Sequence, residues 1–343
     1  MAVNSLAVLA FALLISRSSA CVFVYGDRDE AAKAAGGHYT YSYNGLDWVN
    51  DFPGCRGQKQ SPVFLPSARE AATWSLLQPP PAKATFSYGQ ATNPVVLNNG
   101  HTLQVVLPTG FTSNVRIPVK GNTNTALSTS IVLDDNALLN LNILFPNLNI
   151  NYVTATPAQF HFHTRSEHVV SGIVYPLEMH IVHFIKSDQL PACGEPGCPV
   201  VLGVLLELTN DESKVSPALR QIVTAMPLNE GENTTIPASI NINSLLPSSR
   251  TYLTYEGSLT TPPCSEGILW HVLTTPMYIS QSLFTRYLQA VGSSDCHPNS
   301  TLTDSIGPFQ FPPADAEGCV KLADGQNYRD AQPLGARRIL LST

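Results

Sequence analysis

Three histidines in two short segments have the side-chain type and spacing needed to bind a metal ion. In QFHFH (159–163), the alternation of a β-strand places Gln159, His161 and His163 on one face. In LEMHIVH (177–183), the same alternation places Glu178 and His180 together. If the two strands pair side by side, three imidazoles converge from two rigid elements. Three neutral histidines leave the fourth tetrahedral position of zinc open to water, which is the catalytic type of zinc site.

The residues that precede the histidines strengthen this interpretation. Gln159 and Glu178 each lie two positions before a proposed ligand and on its face, where an acceptor can orient the imidazole. A His-x-His strand alone is more often part of a polar core or a surface. The second strand, with its carboxylate in the same phase, is what favours a metal site. His168 and His183 fall outside the pattern, and we interpret them as structural hydrogen-bonding residues.

The elements that must position these histidines are mostly predicted strands. Short runs rich in Val, Ile, Leu and Thr recur between clusters of Pro, Gly, Asn and Ser, which indicates a sheet-dominated domain. Strands are predicted at 103–107, 139–144, 158–163, 178–184 and 200–208. Helices are predicted at 217–225 and at 280–291, the latter with Ser280 as N-cap. The proline-containing segments 77–83 and 293–316 are predicted surface loops.

The N-terminus predicts secretion. Residues 6–15 form a short apolar run, and the small residues Ser18, Ser19 and Ala20 follow it, as signal peptidase requires. The run is too short for a membrane anchor, and no later stretch is long and apolar enough to span a bilayer. We therefore expect a signal peptide at 1–20, a single mature domain at 21–343, and a periplasmic or extracellular location. Asn233 and Asn299 begin glycosylation sequons that would be used there.

The composition narrows the class of partners. Charged residues are 13% of the chain, against roughly 25% in ordinary globular proteins. The net charge is −6 and no basic stripe is present, so we expect no nucleic-acid partner.

Seven cysteines follow the predicted cleavage site, and an oxidising compartment favours their pairing. Cys193 and Cys198 bracket a tight loop, and Cys296 and Cys319 bracket most of the 293–316 segment. Neither pair has the partners of a structural zinc site, so a disulfide is favoured for each. Cys21 would lie at the mature N-terminus. It either links two chains into a disulfide-bonded homo-oligomer or is a free or trimmed thiol.

Longer blocks around the histidines resemble the signature blocks of alpha carbonic anhydrases. These blocks are QFHFHTRSEH (159–168), LEMHIVHF (177–184) and YEGSLTTPPCSEGILWHVL (255–273), with QSPV (60–63), NNGHTLQV (98–105) and NYRDAQPL (327–334) around them in the family's order. The resemblance covers about 39–338, and the secreted character and additional cysteines are most similar to the algal and plant branch. It implies an α+β fold, mainly β, with a large, mostly antiparallel twisted central sheet and short surface helices.

The resemblance also implies a reaction and a ligand set. The reaction is the reversible hydration of carbon dioxide to bicarbonate and a proton by a zinc-bound hydroxide, which makes the chain a zinc lyase. His161, His163 and His180 match the zinc ligands. Gln159 and Glu178 match the acceptors behind two of them, and the backbone carbonyl of Asn327 matches the acceptor behind His163.

Further residues match the family's substrate side and its proton relay. Thr260 matches a gatekeeper hydroxyl that accepts from the hydroxide and donates to a buried carboxylate, which corresponds to Glu167. Thr261 lines the bicarbonate side. An apolar wall that holds carbon dioxide matches Val182, Val201, Leu259, Ile268 and Trp270. His101 matches the proton shuttle, and Tyr43, Asn99 and Gln104 match polar residues that order the relay waters.

The resemblance implies one more disulfide, between Cys55 and Cys264, which would tie the N-terminal stretch to the Thr260 loop. Two other functions remain to be tested against this interpretation. One is a carbonic anhydrase-like binding ectodomain that has lost catalysis, although such relatives usually lack a zinc histidine. The other is a different zinc hydrolase such as a peptidase, which the absence of a His-Glu-x-x-His segment argues against.

Overall fold

The structure is a computed structural model and describes residues 39, 41, 43–75, 83–99, 101–108, 110–120, 150–194, 197–229, 231–291 and 326–342. Strands dominate these residues. The predicted α+β class with a mainly β content is therefore confirmed. Among the described helices, none has the length and apolar character needed to cross a membrane.

The strands and helices follow the hydrophobic runs of the sequence. In chain order they are β1 (Phe64–Leu65), α1 (Ala68–Ser75), β2 (Gln90–Thr92), β3 (Val95–Asn98), β4 (Leu103–Val106), β5 (Arg116–Lys120), β6 (Ile150–His163), β7 (Val169–Val170), β8 (Leu177–Ile185), β9 (Cys198–Thr209), α2 (Pro217–Ala225), β10 (Asn233–Thr235), β11 (Ser239–Asn241), β12 (Tyr252–Ser258), β13 (Glu266–Leu273), β14 (Met277–Ser280), α3 (Gln281–Val291) and β15 (Leu340–Ser342). Short 3-10 turns lie at Pro53–Arg56, Pro191–Cys193, Glu212–Lys214 and Ile242–Leu245.

The predicted elements agree closely with the observed ones where the structure describes them. Helix α2 has the predicted bounds, with Ser216 at the N-cap position and a proline at the first turn, where a missing N–H does no harm. Helix α3 begins directly after Ser280. Strand β6 is longer than predicted and extends back to Ile150. The predicted strand at 139–144, the loop at 293–316 and residues 77–82 of the first loop lie outside the described residues.

The described strands include eleven that form one sheet. Its order is β10-β3-β4-β6-β8-β9-β13-β12-β15, with β5 pairing with β6 and β14 pairing with β9. Most neighbours are antiparallel, while β9 runs parallel to β13 and to β14. Strand β8 lies between β6 and β9, and all of its residues are buried. The sheet is thus mostly antiparallel, as expected.

The register of the ladder sets which side chains share a face. Gln104 of β4, His161 of β6, His180 of β8 and Gly203 of β9 are successive cross-strand partners. Partners across a ladder lie on the same face, and so do residues two apart along a strand. His163 therefore joins His161 and His180 on one face of the sheet.

The opposite face of the same strands carries the main apolar core. Phe160, Phe162, Met179 and Ile181 are at most 1% exposed and belong to one hydrophobic cluster. Residues of α2 and α3 belong to the same cluster, so both helices cover this face. Burying a side chain of this size stabilises the fold by about 1.5–3 kcal/mol. Because side chains alternate along each strand, the histidines lie on one face while their apolar neighbours pack into the core on the other. This packing holds the two strands in place.

Candidate metal centre and active site

The three predicted ligands converge. One side-chain nitrogen from each of His161, His163 and His180 lies within 4.8 Å of the others. Their ring centroids are 5.0, 5.4 and 4.6 Å apart, and none of the three residues is more than 5% exposed. The antiparallel pairing of β6 with β8 places His161 directly opposite His180, which is why ligands from two segments meet.

Each imidazole is oriented by a hydrogen bond at one nitrogen. His161 Nδ1 lies 2.9 Å from Gln159 Oε1, and His163 Nδ1 lies 2.7 Å from the backbone carbonyl of Asn327. His180 instead uses Nε2, which lies 2.9 Å from Glu178 Oε1. The bonds leave Nε2 of His161, Nε2 of His163 and Nδ1 of His180 as the nitrogens that a metal would use. Acceptors of this kind fix the tautomer and raise the basicity of a histidine ligand.

The protonation of these histidines suits metal binding. Burial lowers the pKa of His161 well below its ordinary value, and the neighbouring His163 and His180 lower it further. Burial likewise lowers the pKa of His163 to about 3, and it is the largest cause of the lowered pKa of His180. All three rings are therefore neutral at physiological pH, which is the form that coordinates metal.

The donor set fits zinc. Buried neutral imidazoles are typical zinc ligands, and three of them leave one tetrahedral position for water or substrate. The Nε2 atom of His163 is buried and has no hydrogen-bond partner in the described part of the chain. A buried polar atom without a partner is destabilising, so a coordinated metal would satisfy it.

Glu178 holds two histidines rather than one. Its Oε1 accepts from His180 Nε2 and lies 2.7 Å from His168 Nδ1, while its Oε2 accepts from the His168 backbone N–H at 2.8 Å. Burial alone would raise the pKa of Glu178, but His168 and His180 outweigh it and hold that pKa well below its usual range. His168 thus has the structural role that the sequence predicted. It contacts the carboxylate that orients the proposed ligand His180.

The chain of contacts continues beyond His168. Its Nε2 lies 2.7 Å from the Tyr255 hydroxyl, which donates to Ser61 Oγ at 2.9 Å. The rings of His168 and His180 also pack edge-on against Trp270, at 4.9 and 4.8 Å. Tyr255 and Ser61 fall inside the blocks YEGSL and QSPV, but the sequence alone gave them no role.

Gly203 is a third site residue that sequence reasoning missed. It is the cross-strand partner of His180, and a Cβ there would lie 3.0 Å from Glu178 Oε1. That distance is tighter than normal contact, so a side chain at 203 would displace the carboxylate that orients His180. A glycine inside a strand is the available signal, because it often marks a close approach.

Thr260 and Glu167 are both buried beside the histidines. Glu167 Oε1 accepts from the Arg329 backbone N–H at 2.8 Å and lies 3.5 Å from His163 Nδ1, while its Oε2 lies 3.8 Å from His180 Nδ1. Burial raises the pKa of Glu167 well above its ordinary value, and the Thr260 hydroxyl and the Arg329 N–H oppose that rise. Both residues are therefore buried next to the proposed ligands, and their action as a pair stays a prediction.

The residues proposed as an apolar wall form one cluster. Val182, Val201, Ile268 and Trp270 are at most 3% exposed, and Leu259 packs against them. Cross-strand pairing of β8, β9 and β13 aligns Val182, Val201 and Trp270 in one row. The wall thus lies two residues along each strand from the His180 row and on the same face. Thr261 is also buried, next to Thr260 in the chain.

Three of the proposed relay residues, Asn99, His101 and Gln104, lie at the β3–β4 turn and on β4. Asn99 Oδ1 accepts from the backbone N–H groups of His101 and Thr102, at 3.1 and 2.8 Å. Gln104 is buried and pairs across the ladder with His161. Tyr43 lies in a turn and is partly buried, and its relay role stays a prediction. The described ring contacts of His101 are with other tyrosines of the segment 39–43 and include Tyr39 and Tyr41.

Two disulfides are present among the described cysteines. Cys55 bonds to Cys264, which ties the first 3-10 turn to the loop after Thr261. Cys193 bonds to Cys198 across the tight loop before β9. The predicted pair Cys296–Cys319, the thiol Cys21, the signal peptide at 1–20 and the sequon at Asn299 lie outside the described residues. Asn233 is exposed on β10.

Comparison with known proteins gives a consistent family. Residues 43–343 match the family model of eukaryotic-type carbonic anhydrases. A carbonic anhydrase of Neisseria gonorrhoeae is 32% identical over 284 residues, which cover 80% of this chain and 90% of that protein. Human carbonic anhydrase 7 is 29% identical over 289 residues, which cover 80% of this chain and 94% of that protein.

Solved structures give the same result. The complex of the alpha-carbonic anhydrase from Thermovibrio ammonificans with the inhibitor sulfanilamide has a TM-score of 0.55 and 27% identity, covering 89% of this chain and 99% of that chain. Carbonic anhydrase Cah3 from Chlamydomonas reinhardtii, in complex with acetazolamide, has a TM-score of 0.55 and 25% identity, covering 84% of this chain and 93% of that chain.

Proposed function

Because the chain belongs to the eukaryotic-type, or alpha, carbonic anhydrases, we propose that its three buried histidines hold zinc for the reversible hydration of carbon dioxide to bicarbonate and a proton. The observation that carries this proposal is the convergence of three neutral imidazoles, each oriented by its own acceptor. Bound zinc supplies a Lewis acid that lowers the pKa of a water molecule toward neutrality, and carbonic anhydrase is itself the reference case for this effect.

The hydroxyl of Thr260 would aim the attacking oxygen. If it donates its hydrogen to Glu167, only its lone pairs face the site, so it accepts from water and points an oxygen lone pair at the substrate. A metal cation held by the three neutral histidines would favour the ionised form of Glu167 that this role needs. Thr261, the next residue, would contact the bicarbonate.

The apolar wall would hold the substrate. Carbon dioxide has no hydrogen-bond donor, so Val182, Val201 and Trp270 can place it beside the attacking oxygen without binding its polar atoms. The indole N–H of Trp270 donates to the carbonyl of Ser258 at 3.0 Å, so this polar group already has a partner within the protein.

A proton must leave the site in each turnover, and His101 would carry it. Imidazole exchanges protons near neutral pH, and His101 is only partly buried. Asn99, Gln104 and Tyr43 would order the waters between this ring and the metal. Asn327 contacts both a proposed metal ligand and the proposed shuttle. Its carbonyl accepts from His163, and its side-chain N–H donates to the carbonyl of His101 at 2.8 Å.

The test combines metal analysis with stopped-flow hydration of carbon dioxide, with and without sulfanilamide. We expect about one zinc per chain and a hydration rate that the sulfonamide abolishes. Zinc without hydration would support the binding ectodomain, and peptide hydrolysis without hydration would support the other hydrolase. Protein that stays metal-free when offered zinc would overturn the proposal.

We also propose that the chain is secreted, with its N-terminal 20 residues removed. The two disulfides support an oxidising compartment, where such bonds persist. Asn233 is exposed and open to glycosylation. An intact mass of the native protein, with and without reductant and glycosidase, would give the N-terminus, the glycans and any Cys21-linked oligomer. A retained leader would contradict secretion by this route.

A further inference from the structure

A surface cavity of about 290 Å³ shares no residue with the histidine site, and its lining is rich in cations. It is lined by Gln58, Lys59, Glu256, Gly335, Ala336, Arg337 and Arg338. Three of these side chains are basic and one is acidic, in a chain whose net charge is −6. Its size is near the lower end of small-molecule sites, which begin at about 300 Å³.

Arg337 is held in place by the backbone around it. Its Nε donates to the carbonyl of Leu334 at 2.8 Å, its Nη1 to that of Glu256 at 3.1 Å, and its Nη2 to that of Pro333 at 2.7 Å. Its guanidinium also lies 5.7 Å from the ring centroid of Tyr255. A guanidinium has five N–H groups, so two remain to donate to a ligand from a fixed position.

The other two cations have more exposed side chains. Lys59 Nζ lies 2.7 Å from Glu256 Oε2, but the two side chains are 45% and 34% exposed. Exposed pairs of this kind are weak, so Lys59 can exchange this carboxylate for a bound anion. Arg338 is exposed beside Arg337 and adds a second guanidinium to the cavity.

We propose that this cavity binds a small molecule through an oxyanion group, a carboxylate or a phosphate. Guanidinium groups match both geometries with paired hydrogen bonds, and charge-assisted bonds are the strong ones. Gly335, whose φ is +64°, turns the chain between Leu334 and Ala336, so that arginines 337 and 338 reach the same cavity. The proposal does not depend on the proposed catalytic function.

The test is calorimetric titration of the whole protein with inorganic phosphate and, separately, with citrate. Each titration is repeated with sulfanilamide saturating the histidine site, so that anion binding at a metal is removed. The informative variant is Lys59→Gln with Arg338→Gln. Arg337 is left unchanged because it donates hydrogen bonds to three backbone carbonyls, and its loss would disturb the local structure. The matched control is Arg69→Gln with Lys83→Gln, which removes the same charge from exposed residues outside the cavity.

We expect the cavity variant to bind its preferred probe about tenfold more weakly or worse, because it loses charge-assisted hydrogen bonds. The control should retain wild-type affinity. The amide resonances of Gly335 and Ala336 should shift during the wild-type titration. Whichever probe binds tighter identifies the oxyanion class. Failure of both probes to bind the wild type, or an equal loss of affinity in the variant and its control, would overturn the proposal.

Discussion

The imidazole of His101 lies parallel to the ring of Tyr39, with centroids 4.3 Å apart and 11° between the planes. Tyr41 meets the same imidazole edge-on at 6.2 Å. Both tyrosines belong to a buried cluster that includes Trp48 and the Cys55–Cys264 disulfide. The proposed proton shuttle is therefore supported by the same N-terminal stretch that the disulfide anchors.

Replacing this imidazole tests the shuttle. His101→Ala should lower kcat for hydration by roughly 10²-fold, since a positioned proton-transfer group contributes at least that much. The value of kcat/KM for carbon dioxide should stay close to wild type, because the wall and the metal ligands are untouched. Stopped-flow rates measured in increasing imidazole buffer should recover toward wild type. A rate that the buffer does not raise would remove His101 from the relay.

The ligand assignment is tested by His161→Ala. The variant should lose stoichiometric zinc and nearly all hydration activity, measured by metal analysis and stopped flow. His271→Gln is the matched control, because His271 is a buried histidine of the same sheet whose row, with Leu202 and Ile181, lies on the opposite face. It should keep its zinc. Full zinc content in the His161 variant would refute the assignment.

The shared carboxylate allows a finer test. Glu178→Gln keeps the shape of the side chain but removes the charge that His168 and His180 both contact. We expect zinc affinity to fall by about 10- to 100-fold, as for other acceptors behind metal ligands. Competition with a chelator measures this directly. Gln159→Ala serves as comparison because it removes a neutral acceptor from one ligand only, and it should have the smaller effect.

The two disulfides should differ in their contribution to stability. Cys55 and Cys264 are 209 residues apart, whereas Cys193 and Cys198 are 5 apart. In the chain-entropy model the stabilisation grows with the logarithm of loop length, which predicts a difference of about 3 kcal/mol between them. Urea unfolding of the Cys55→Ser/Cys264→Ser and Cys193→Ser/Cys198→Ser variants would measure it. Equal losses of unfolding free energy would count against the model.

Acid should weaken the fold through two histidines that bind no proposed metal. Burial lowers the pKa of His183 to about 4 and that of His271 to about 3. The unfolded chain binds a proton at each near pH 6.5 and the folded chain does not. Stability therefore falls as pH drops below 6.5 and continues to fall toward the folded pKa values. At pH 5 each contributes about 2 kcal/mol of destabilisation.

The measurement is the free energy of unfolding of wild type and His271→Gln at pH 7 and pH 5. The drop between the two pH values should be smaller in the variant by about 2 kcal/mol. Comparing two pH values within one protein removes any constant loss that the substitution itself causes. An identical drop in both proteins would show that His271 does not titrate in this way.

Much of the site could be predicted because strand phase is a local property. The alternation in QFHFH and LEMHIVH was enough to place His161, His163 and His180 on one face, and the ladder joins them. Asn327 came only from family resemblance, because a backbone carbonyl 164 residues from His163 leaves no local pattern. The contacts of His168 with Glu178 and with Tyr255 were also missed, because they depend on how a loop residue meets two separate strands.

The complete burial of β8 has a consequence for how firmly the backbone of His180 is held. A strand covered on both faces and hydrogen-bonded on both edges cannot fray on its own, so the backbone that carries His180 moves only when neighbouring strands separate. Amide hydrogens of β8 should therefore exchange about as slowly as the whole molecule unfolds. Opening of a surface loop would then leave the backbone of this proposed ligand in place.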